Sequence, residues 1–365
     1  MNPERILISI PNWVGDVAMA TPALRAIRQR FSSARIVHLE RAYVADVLAG
    51  TAFADDVVFW PGRGAGPACT SSTWDLVRRF RRERFDLAVL LTNSFRSALL
   101  AWLVGAKTRV GYARDGRGWL MTDRLAPSRS TDGRRPGRGR AHGRYAPVPA
   151  LDYYNDIARH LGCDEVSDRL ELATLPEDED AVDRRIGAID PGRPLVVLNP
   201  GANYGSAKCW PAEYFAELAD ALADRYDARV VASLSPTEKE IAARLSAAAK
   251  RPIEVFVDPP LGLGPLKALI RRCNLLVTND TGPRHFAAAF DVPVVTVFGS
   301  SDPAWTDTRF ARERIAMLTL ECQPCMERVC PLKHHNCMKQ LTPAMVLDNV
   351  AELFRPRVPA LHACP

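Results

Sequence analysis

The sequence predicts an α/β protein with two doubly wound domains, each built on a parallel sheet. Its 365 residues are more than twice the length of about 150 residues expected for one domain. Short β-branched runs alternate with helical stretches along the chain, which is the pattern of parallel βαβ units. The composition, 47% hydrophobic and 25% charged, is that of a globular protein and excludes a disordered chain or a fibrous repeat.

The first half of the chain predicts strands and helices in turn. The predicted strands are Arg5–Ile10, Arg35–Leu39, Val57–Trp60, Leu87–Leu91 and Thr108–Val110. The predicted helices are Pro22–Phe31, Ala42–Ala49, Trp74–Arg84, Phe95–Val104 and Leu151–Leu161. Apolar residues recur at strand or helix spacing in each of these segments.

The alternation starts again in the second half. The predicted strands are Leu195–Asn199, Arg229–Leu234, Ile253–Val257, Leu275–Thr278 and Val292–Phe298. The predicted helices are Ala212–Arg225, Thr237–Ala249, Leu266–Cys273 and Arg284–Phe290. The polar segment Glu177–Asp180 after Pro176 predicts a linker or domain border, so we expect domains at residues 1–175 and 176–365.

The positive charge of the chain is concentrated in one segment. The formal charge is +6, and Arg129–Arg144 supplies +5 of it, with six arginines against Asp132. Its glycines and Pro136 predict a flexible loop. Such a loop can hold a phosphorylated lipid or the anionic face of a membrane, or it can be a solvated insertion; deleting it would test the first role. The nearly neutral remainder argues against a nucleic-acid partner.

The termini and hydropathy predict a cytoplasmic protein. The first residues lack the charged region and long apolar run of a secretion signal. No segment reaches the roughly 18 apolar residues that a membrane-spanning helix needs.

The first of three strand-to-loop junctions carries a carboxylate, Asp16, shortly after the strand Arg5–Ile10. Parallel sheets bind ligands at the carboxyl ends of their strands. Thr21-Pro22 predicts the start of the next helix, with Thr21 as N-cap. Asp16 is then available for chemistry, although it can also cap a short preceding turn.

The second and third junctions predict an anion site. The loop Asn199–Pro211 contains glycines, which allow close approach of the backbone, and Lys208, whose charge suits a phosphate. Asp280, Thr281 and Gly282 lie where a strand meets a helix N-terminus, another place that favours anions. The alternatives are a solvated Lys208, a simple N-cap at Asp280 or Thr281, and a packed His285.

A cysteine-rich segment follows at Cys322, Cys325, Cys330 and Cys337, with His334 and His335 inside it. Four thiolates can hold a tetrahedral zinc ion, which in a reducing compartment is favoured over disulfides. The sequence therefore predicts a structural zinc site, with four free thiols as the alternative because the spacing is not that of paired zinc knuckles.

The junctions resemble those of glycosyltransferase family 9, the ADP-heptose:lipopolysaccharide heptosyltransferases, and most closely the heptosyltransferase II branch. The matching stretches are Pro11–Asp16 with Thr21-Pro22, Thr92–Ala98, Asn199–Gly201 with Lys208–Pro211, and Asn279–Gly282 to His285 with Phe298-Gly299. Together they span most of the chain. The cysteine-rich segment also looks like one found in many members of that branch.

The resemblance implies a GT-B fold, with two Rossmann-like domains facing across a cleft. It implies an inverting transfer of heptose from ADP-heptose to the lipopolysaccharide inner core, without a metal or other cofactor, at the inner face of the membrane. The acceptor would be a phosphorylated lipid A core. On this resemblance Asp16 is the general base, and the acceptor side comprises Asn12, Trp13, Gly15, Asn93 and Arg96. The donor side comprises Lys208, Glu238, Asp280, Thr281, Gly282 and His285.

Pro283 and Arg284 depart from the residues that family members commonly carry there, so the donor sugar stays open. One alternative is a family 9 transferase that uses another nucleotide sugar. A more distant one is a zinc-containing nucleic-acid binder that uses the cysteine-rich segment and the Arg129–Arg144 loop, and a third is an inactive GT-B scaffold.

Overall fold

The computed structural model describes residues 2–62, 72–128 and 145–354. The predicted loop Arg129–Arg144 lies outside these residues. The chain divides into two compact units, Met1–Asp178 with Pro303–Arg309, and Glu179–Asp302 with Phe310–Pro365.

The first unit contains a sheet of six parallel strands in the order β3-β2-β1-β4-β5-β6. The strands are β1 (Arg5–Ser9), β2 (Arg35–Glu40), β3 (Asp56–Phe59), β4 (Leu87–Leu90), β5 (Thr108–Tyr112) and β6 (Asp123–Leu125). In the centre of the sheet, Leu7 of β1 pairs with Val37 on one side and Ala88 on the other. Strands buried on both faces explain the continuous apolar runs of the sequence.

Helices cover both faces of this sheet. They are α1 (Val14–Met19), α2 (Thr21–Arg30), α3 (Ala45–Leu48), α4 (Thr73–Glu83), α5 (Phe95–Val104) and α6 (Ala150–His160). The hydroxyl of Ser94 accepts a hydrogen bond from the N–H of Ser97 and so caps α5, whose end is followed by Gly105 in the left-handed conformation. Both are common helix-boundary signals. The buried faces of α4 and α5 pack in one core with alternate residues of the sheet.

The second unit repeats the plan with the strand order β12-β11-β10-β7-β8-β9. The strands are β7 (Leu195–Asn199), β8 (Arg229–Ser233), β9 (Glu254–Phe256), β10 (Leu275–Asn279), β11 (Val294–Val297) and β12 (Glu313–Ala316). The helices are α7 (Pro176–Ile186), α8 (Ala212–Tyr226), α9 (Lys239–Ala248), α10 (Leu263–Arg272), α11 (Pro283–Ala289), α12 (Asn336–Lys339) and α13 (Pro343–Leu353). No helix in the described ranges is long and apolar enough to cross a bilayer.

Both sheets have the strand order of a doubly wound fold, which confirms the predicted α/β class. In such a sheet the chain leaves one central strand toward one edge and later returns beside it to build the other edge. Ligands bind at this switch point, outside the carboxyl ends of the two central strands. The central pairs are β1 with β4 and β7 with β10.

One local prediction is wrong, and a second holds only in part. Thr21 is not an N-cap, because Ala20 before it is already helical and the Thr21 hydroxyl instead donates to the carbonyl of Ala18 at 2.7 Å. Glu177–Asp180 belongs to α7 and is not a linker, although the division between the two units falls inside it, as the alternative of a domain border predicts. Glu179 holds this helix to α10 through a 2.6 Å ion pair with Arg272, a long-range contact that local polarity does not reveal.

The division between the units differs from the predicted domain border at 175/176. It falls after Asp178, inside α7, and the segment Pro303–Arg309 groups with the first unit. Arg309 accounts for this grouping, since its guanidinium forms ion pairs with Asp152 at 2.6 Å and with Asp168 at 3.0 Å.

Glu40, the last residue of β2, is buried, and one of its carboxyl oxygens has no hydrogen-bond partner among the described residues. Burial, and then the charge of Asp46, raise the pKa of Glu40 from 4.5 to about 8. Because the folded state holds this proton more tightly than the unfolded chain, stability falls as the pH rises between these two values.

We therefore expect Glu40→Gln to stabilise the protein by roughly 1–4 kcal/mol near pH 9 and by much less near pH 5. Thermal unfolding at both pH values measures the difference. Glu217→Gln, at an exposed position of α8, is the control, and we expect it to change the stability equally at both pH values. An equal effect of Glu40→Gln at both pH values would show that Glu40 does not titrate in this range.

Candidate active site

Asp16 lies in the first turn of α1, directly after the carboxyl end of β1, and is half-buried. The N-cap of this helix is Trp13, and its side chain makes no capping hydrogen bond. Asp16 also lies close to α6, because burial and then the Asp16 carboxylate raise the pKa of Tyr154 well above its usual value. The structure thus places a carboxylate at the switch point of the first sheet.

Asn12 and Trp13 form the turn that leads from β1 to Asp16. Trp13 is 54% exposed. The carbonyl of Asn12 accepts a hydrogen bond from the hydroxyl of Tyr43 at 2.5 Å, which joins this turn to the one that follows β2. Gly15, in the first turn of α1, is partly exposed.

Asn93 lies across the switch point from Asp16, in the loop after β4, and its side chain is held by two neighbours. Its carbonyl oxygen accepts hydrogen bonds from the Tyr153 hydroxyl at 2.5 Å and from Arg117 at 3.2 Å. Arg117 is fully buried and also donates to the backbone carbonyls of Thr92 and Tyr112. Arg117 therefore positions the Asn93 loop.

Arg96 follows in the first turn of α5 and is exposed. Its guanidinium lies 4.8 Å from the centre of the Trp60 ring and donates to the Thr73 hydroxyl at 3.1 Å. These contacts leave the cation at the carboxyl edge of the first sheet, where it can bind an anionic group.

In the second unit, the structure brings Lys208 and Asp280 together at the switch point between β7 and β10. The Lys208 ammonium contacts the Asp280 carboxylate at 2.5 Å, and both side chains are largely buried. The other contacts of this carboxylate are the Ser301 hydroxyl at 2.6 Å and Arg284 at 3.3 Å. Burial alone would raise the pKa of Asp280, but the charges of Lys208 and Arg284 and the hydrogen bonds lower it to about 2. Asp280 is therefore ionised at neutral pH.

Arg284 is nearly fully buried, and a second carboxylate compensates its charge. Its guanidinium makes two 2.9 Å hydrogen bonds to Glu313, and Glu313 also accepts from the Thr296 hydroxyl at 2.5 Å. Glu313 of β12 holds Arg284 in place, and Arg284 pairs with Asp280. Asp280 therefore keeps one cationic partner even without Lys208. Lys208 can therefore turn toward a bound anion without leaving Asp280 uncompensated.

Thr281 belongs to a hydroxyl and amide cluster beside this ion pair. Its hydroxyl contacts Thr278 at 3.0 Å and donates to the side-chain oxygen of Asn199 at 3.2 Å. The Asn279 side chain donates to the carbonyl of Pro200 at 2.7 Å. These contacts join the ends of β7 and β10 and fix the loops that carry Lys208 and Asp280.

Glu238 reaches the same edge from the start of the helical segment after β8. Its carboxylate accepts from the N–H of Ser235 at 2.8 Å and completes a capping box. A Cβ atom at Gly201 would lie 2.2 Å from a carboxylate oxygen of Glu238, so a side chain at this position would displace the carboxylate. The carboxylate thus borders the Asn199–Gly201 loop.

Gly282 and His285 lie at the start of α11. Gly282 is the N-cap of α11, and the N–H groups of Arg284 and His285 donate to the carbonyls of Thr281 and Gly282 within the turn. The N–H groups of Arg284 and His285 are therefore unavailable to a ligand. His285 is 3% exposed, and burial, followed by the charge of Arg284, lowers its pKa well below 6.5. The imidazole is accordingly neutral and packed.

The cysteine-rich segment supports the loops of this site. Its backbone carbonyls at Met326 and Arg328 accept hydrogen bonds from the Tyr204 hydroxyl and the Ala207 N–H, at 2.9 Å and 3.0 Å. Gly205, with φ of +151°, approaches Arg328 so closely that a Cβ atom would lie 2.3 Å from its carbonyl oxygen. Contact with the segment therefore shapes the loop that carries Lys208.

The four cysteines lie near one another. Burial, and then Cys325, Cys322 and Cys330, raise the pKa of the Cys337 thiol to about 11. Within the described part of the chain, no group of three or more His, Cys, Asp or Glu side chains is arranged to hold a metal ion. The zinc site therefore stays a prediction, which metal analysis of the purified protein would test.

Three residues of the site are missing from the sequence prediction: Arg117, Ser301 and Glu313. Each contacts a predicted site residue or its loop from a distant part of the chain. Of the three, only Ser301 could have been suspected from the sequence, because it closely follows Phe298-Gly299 at the end of a predicted strand, where ligands bind. Nothing in the sequence indicates that Arg117 and Glu313 are buried partners.

Comparisons with known proteins identify the family and the fold of the chain. Residues 73–336, more than half of the chain, match the family model of glycosyltransferase family 9 (heptosyltransferase). Lipooligosaccharide heptosyltransferase 2 of Campylobacter jejuni is 26% identical over 357 residues, which cover 96% of this chain and 98% of the relative.

Two solved structures have the same fold. Escherichia coli ADP-heptose lipopolysaccharide heptosyltransferase II is 24% identical, with a TM-score of 0.74 over 96% of this chain and 98% of that one. E. coli heptosyltransferase WaaC with ADP-2-deoxy-2-fluoro heptose is 18% identical, with a TM-score of 0.66 over 95% and 99%. These similarities confirm the predicted GT-B fold. The match to the family model shows that the chain belongs to glycosyltransferase family 9, the heptosyltransferases.

Proposed function

We propose that this enzyme transfers heptose from ADP-heptose to the inner core of lipopolysaccharide, with inversion at the anomeric carbon. The observation that carries the proposal is that polar side chains suited to this reaction lie at the switch points of both sheets. Asp16 follows β1 in the first sheet, and the Lys208–Asp280 pair joins the ends of β7 and β10 in the second. Relatives named as heptosyltransferases over nearly the whole chain support this assignment.

In the first unit, Asp16 acts as general base. A sugar hydroxyl is a weak nucleophile, and a carboxylate that removes its proton during attack accelerates the reaction by about 10²–10⁴-fold. Asn12, Trp13, Gly15, Asn93 and Arg96 make up the acceptor side around it. The Arg96 cation suits a phosphorylated lipid A core, which the enzyme would meet at the cytoplasmic face of the membrane.

In the second unit, Lys208 binds the diphosphate of the donor. ADP gains negative charge as the bond to the sugar breaks, and fixed positive charge beside it lowers the barrier. Lys208 supplies this charge while Arg284 keeps Asp280 compensated. Thr281 and Gly282 contact the diphosphate and sugar, Glu238 binds the ribose, and His285 supports the same pocket. In this mechanism protein groups provide the base and the charge stabilisation, without a metal ion.

A panel of nucleotide sugars tests the donor assignment. A ligand that binds only the folded protein raises its Tm, so we expect ADP-heptose to give the largest shift among ADP- and UDP-sugars at equal concentration. A larger shift with another nucleotide sugar would favour a family 9 transferase of different specificity. Stabilisation by ADP-heptose without transfer or hydrolysis would indicate an inactive scaffold.

A further inference from the structure

We propose that five exposed aromatic side chains at the carboxyl edge of the first sheet form a platform that binds the sugar rings of the acceptor. This aromatic row comprises, in the spatial order of the strands they follow, Trp74, Tyr43, Trp13, Phe95 and Trp119. The sequence prediction contains only Trp13 of this row. The inference rests on the proposed function, because it assigns the row to the acceptor of that reaction.

The topology places one member of the row after each of five adjacent strands. Trp13 and Tyr43 follow β1 and β2, and Trp74 and Phe95 lie at the starts of α4 and α5. A helix that joins two parallel strands begins at the carboxyl edge, which puts the two helix starts beside the two turns. Trp119 follows β5.

Contacts within the row join its neighbours at this edge. The Tyr43 hydroxyl donates to the carbonyl of Asn12, next to Trp13, at 2.5 Å. The rings of Phe95 and Trp119 lie 6.2 Å apart, which places Trp119 beside the start of α5. The row therefore continues on both sides of the turn that carries Asp16.

All five side chains are exposed, from 42% for Phe95 to 68% for Trp119. Exposed aromatic side chains are otherwise rare in the described residues. Among the described residues of the second unit, the large exposed side chains are aliphatic and none is aromatic. In the described part of the first unit, the one large exposed aromatic side chain outside the row is Trp102, which lies near the end of α5, away from Phe95. A random scatter of surface aromatics would not follow one edge of one sheet.

Cations lie along the same edge. The guanidinium groups of Arg41 and Arg96 lie 5.8 Å and 4.8 Å from the ring centre of the buried Trp60. Arg96 also contacts Thr73, next to Trp74. Two positive charges among aromatic rings suit a ligand that combines sugar faces with anionic groups.

The chemistry of the row favours a saccharide over an apolar partner. The C–H face of a sugar ring is weakly positive and packs on the negative face of an aromatic ring, while the hydroxyls at its rim stay in water. A protein interface or an inserted membrane surface would add exposed Leu, Ile or Met to the aromatics. In the described part of the first unit, no Leu, Ile or Met stands among the large exposed side chains, and the one aliphatic side chain there is Val57, near the start of β3 and away from the carboxyl edge.

The experiment compares Tyr43→Ala and Trp119→Ala with Trp102→Ala as control. Trp102 is 50% exposed and lies on the same unit, away from the carboxyl edge. The probe is a water-soluble acceptor, obtained by removing the acyl chains from the lipid A core. Calorimetry measures its binding, steady-state kinetics give the KM for acceptor and donor, and flotation with anionic phospholipid vesicles measures membrane binding.

We expect each row variant to weaken soluble-acceptor binding by about two- to tenfold and to leave the donor KM and the Tm unchanged. Trp102→Ala should bind the soluble acceptor as tightly as the wild-type protein. Tyr43→Phe and Trp119→Phe should recover most of the binding, since they keep a ring.

Unchanged soluble-acceptor binding in both alanine variants would overturn the proposal. Loss of vesicle binding with unchanged soluble-acceptor binding would also overturn it and would assign the row to the bilayer. Calorimetry needs no turnover, so a wild-type protein that binds the acceptor without transferring heptose would count against the proposed function and leave the platform standing.

Discussion

Replacing Asp16 by asparagine is expected to lower kcat by about 10²–10⁴-fold and to leave the affinity for ADP unchanged. Asparagine has nearly the same shape but cannot accept the proton of the attacking hydroxyl. Asp16 follows a strand of the first sheet, whereas the proposed donor groups follow strands of the second. Steady-state kinetics with saturating donor, together with an ADP titration, measures the two quantities separately.

Asp46→Asn is the matched control for this variant. Asp46 is also an acidic residue in the first turn of a helix at the carboxyl edge, since it belongs to α3 after β2. A general effect of removing a negative charge from this edge would lower kcat in both variants. Near-normal turnover in Asp16→Asn would rule out Asp16 as the base.

Lys208→Ala is expected to raise the donor KM and the Kd for ADP roughly ten- to a hundredfold, since a hydrogen bond to a charged group contributes about 1.5–3 kcal/mol. The acceptor KM should stay near its wild-type value. Asp280 loses its 2.5 Å partner in this variant but keeps Arg284 and Ser301, so the Tm should fall only modestly. Donor kinetics and thermal unfolding together measure the result.

Two further variants distinguish phosphate binding from a structural role of Lys208. Lys208→Arg keeps a cation and should retain part of the donor affinity. Lys239→Ala removes an exposed lysine that is also paired with an aspartate, Asp258, at 2.5 Å. This variant should leave the donor KM and the Kd for ADP unchanged. If Lys208→Ala lowered the Tm strongly while the donor KM stayed constant, Lys208 would serve only to hold Asp280.

The donor-side ion network also constrains the pH response. The pKa of Asp280 lies near 2, below its ordinary value of 3.8, so its ionised form stabilises the folded state above the ordinary value and loses this effect as the pH falls toward 2. Donor binding through Lys208 should therefore not vary between pH 5 and 8 because of Asp280.

Much of the fold could be predicted because its signals are local. The apolar run Leu195–Asn199 and the helix Phe95–Val104 begin and end where the sequence predicts. Short elements without strong periodicity could not be found this way: α1 has only six residues, and β6 and β12 are edge strands with exposed positions. Their conformation depends on the sheet to which they attach.

Part of the candidate site was also predictable. Asp16, Lys208 and Asp280 stand at strand ends, and strand ends in a parallel sheet meet at one edge. The sequence could not show that Lys208 pairs with Asp280, since the two lie far apart along the chain and only the pairing of β7 with β10 joins their loops. It also could not show that His285 is packed instead of facing a ligand.

By itself, the sequence determined the α/β class, the membership of family 9 through its junction motifs, and the residue types available for catalysis. Only the tertiary structure decided that Arg284 is compensated by Glu313, that Arg117 holds the Asn93 loop, and that aromatic side chains follow five adjacent strands. The physical reason is the distance along the chain over which each kind of interaction acts. Periodicity and turn chemistry act over a few residues, whereas burial and charge compensation depend on which distant strands become neighbours.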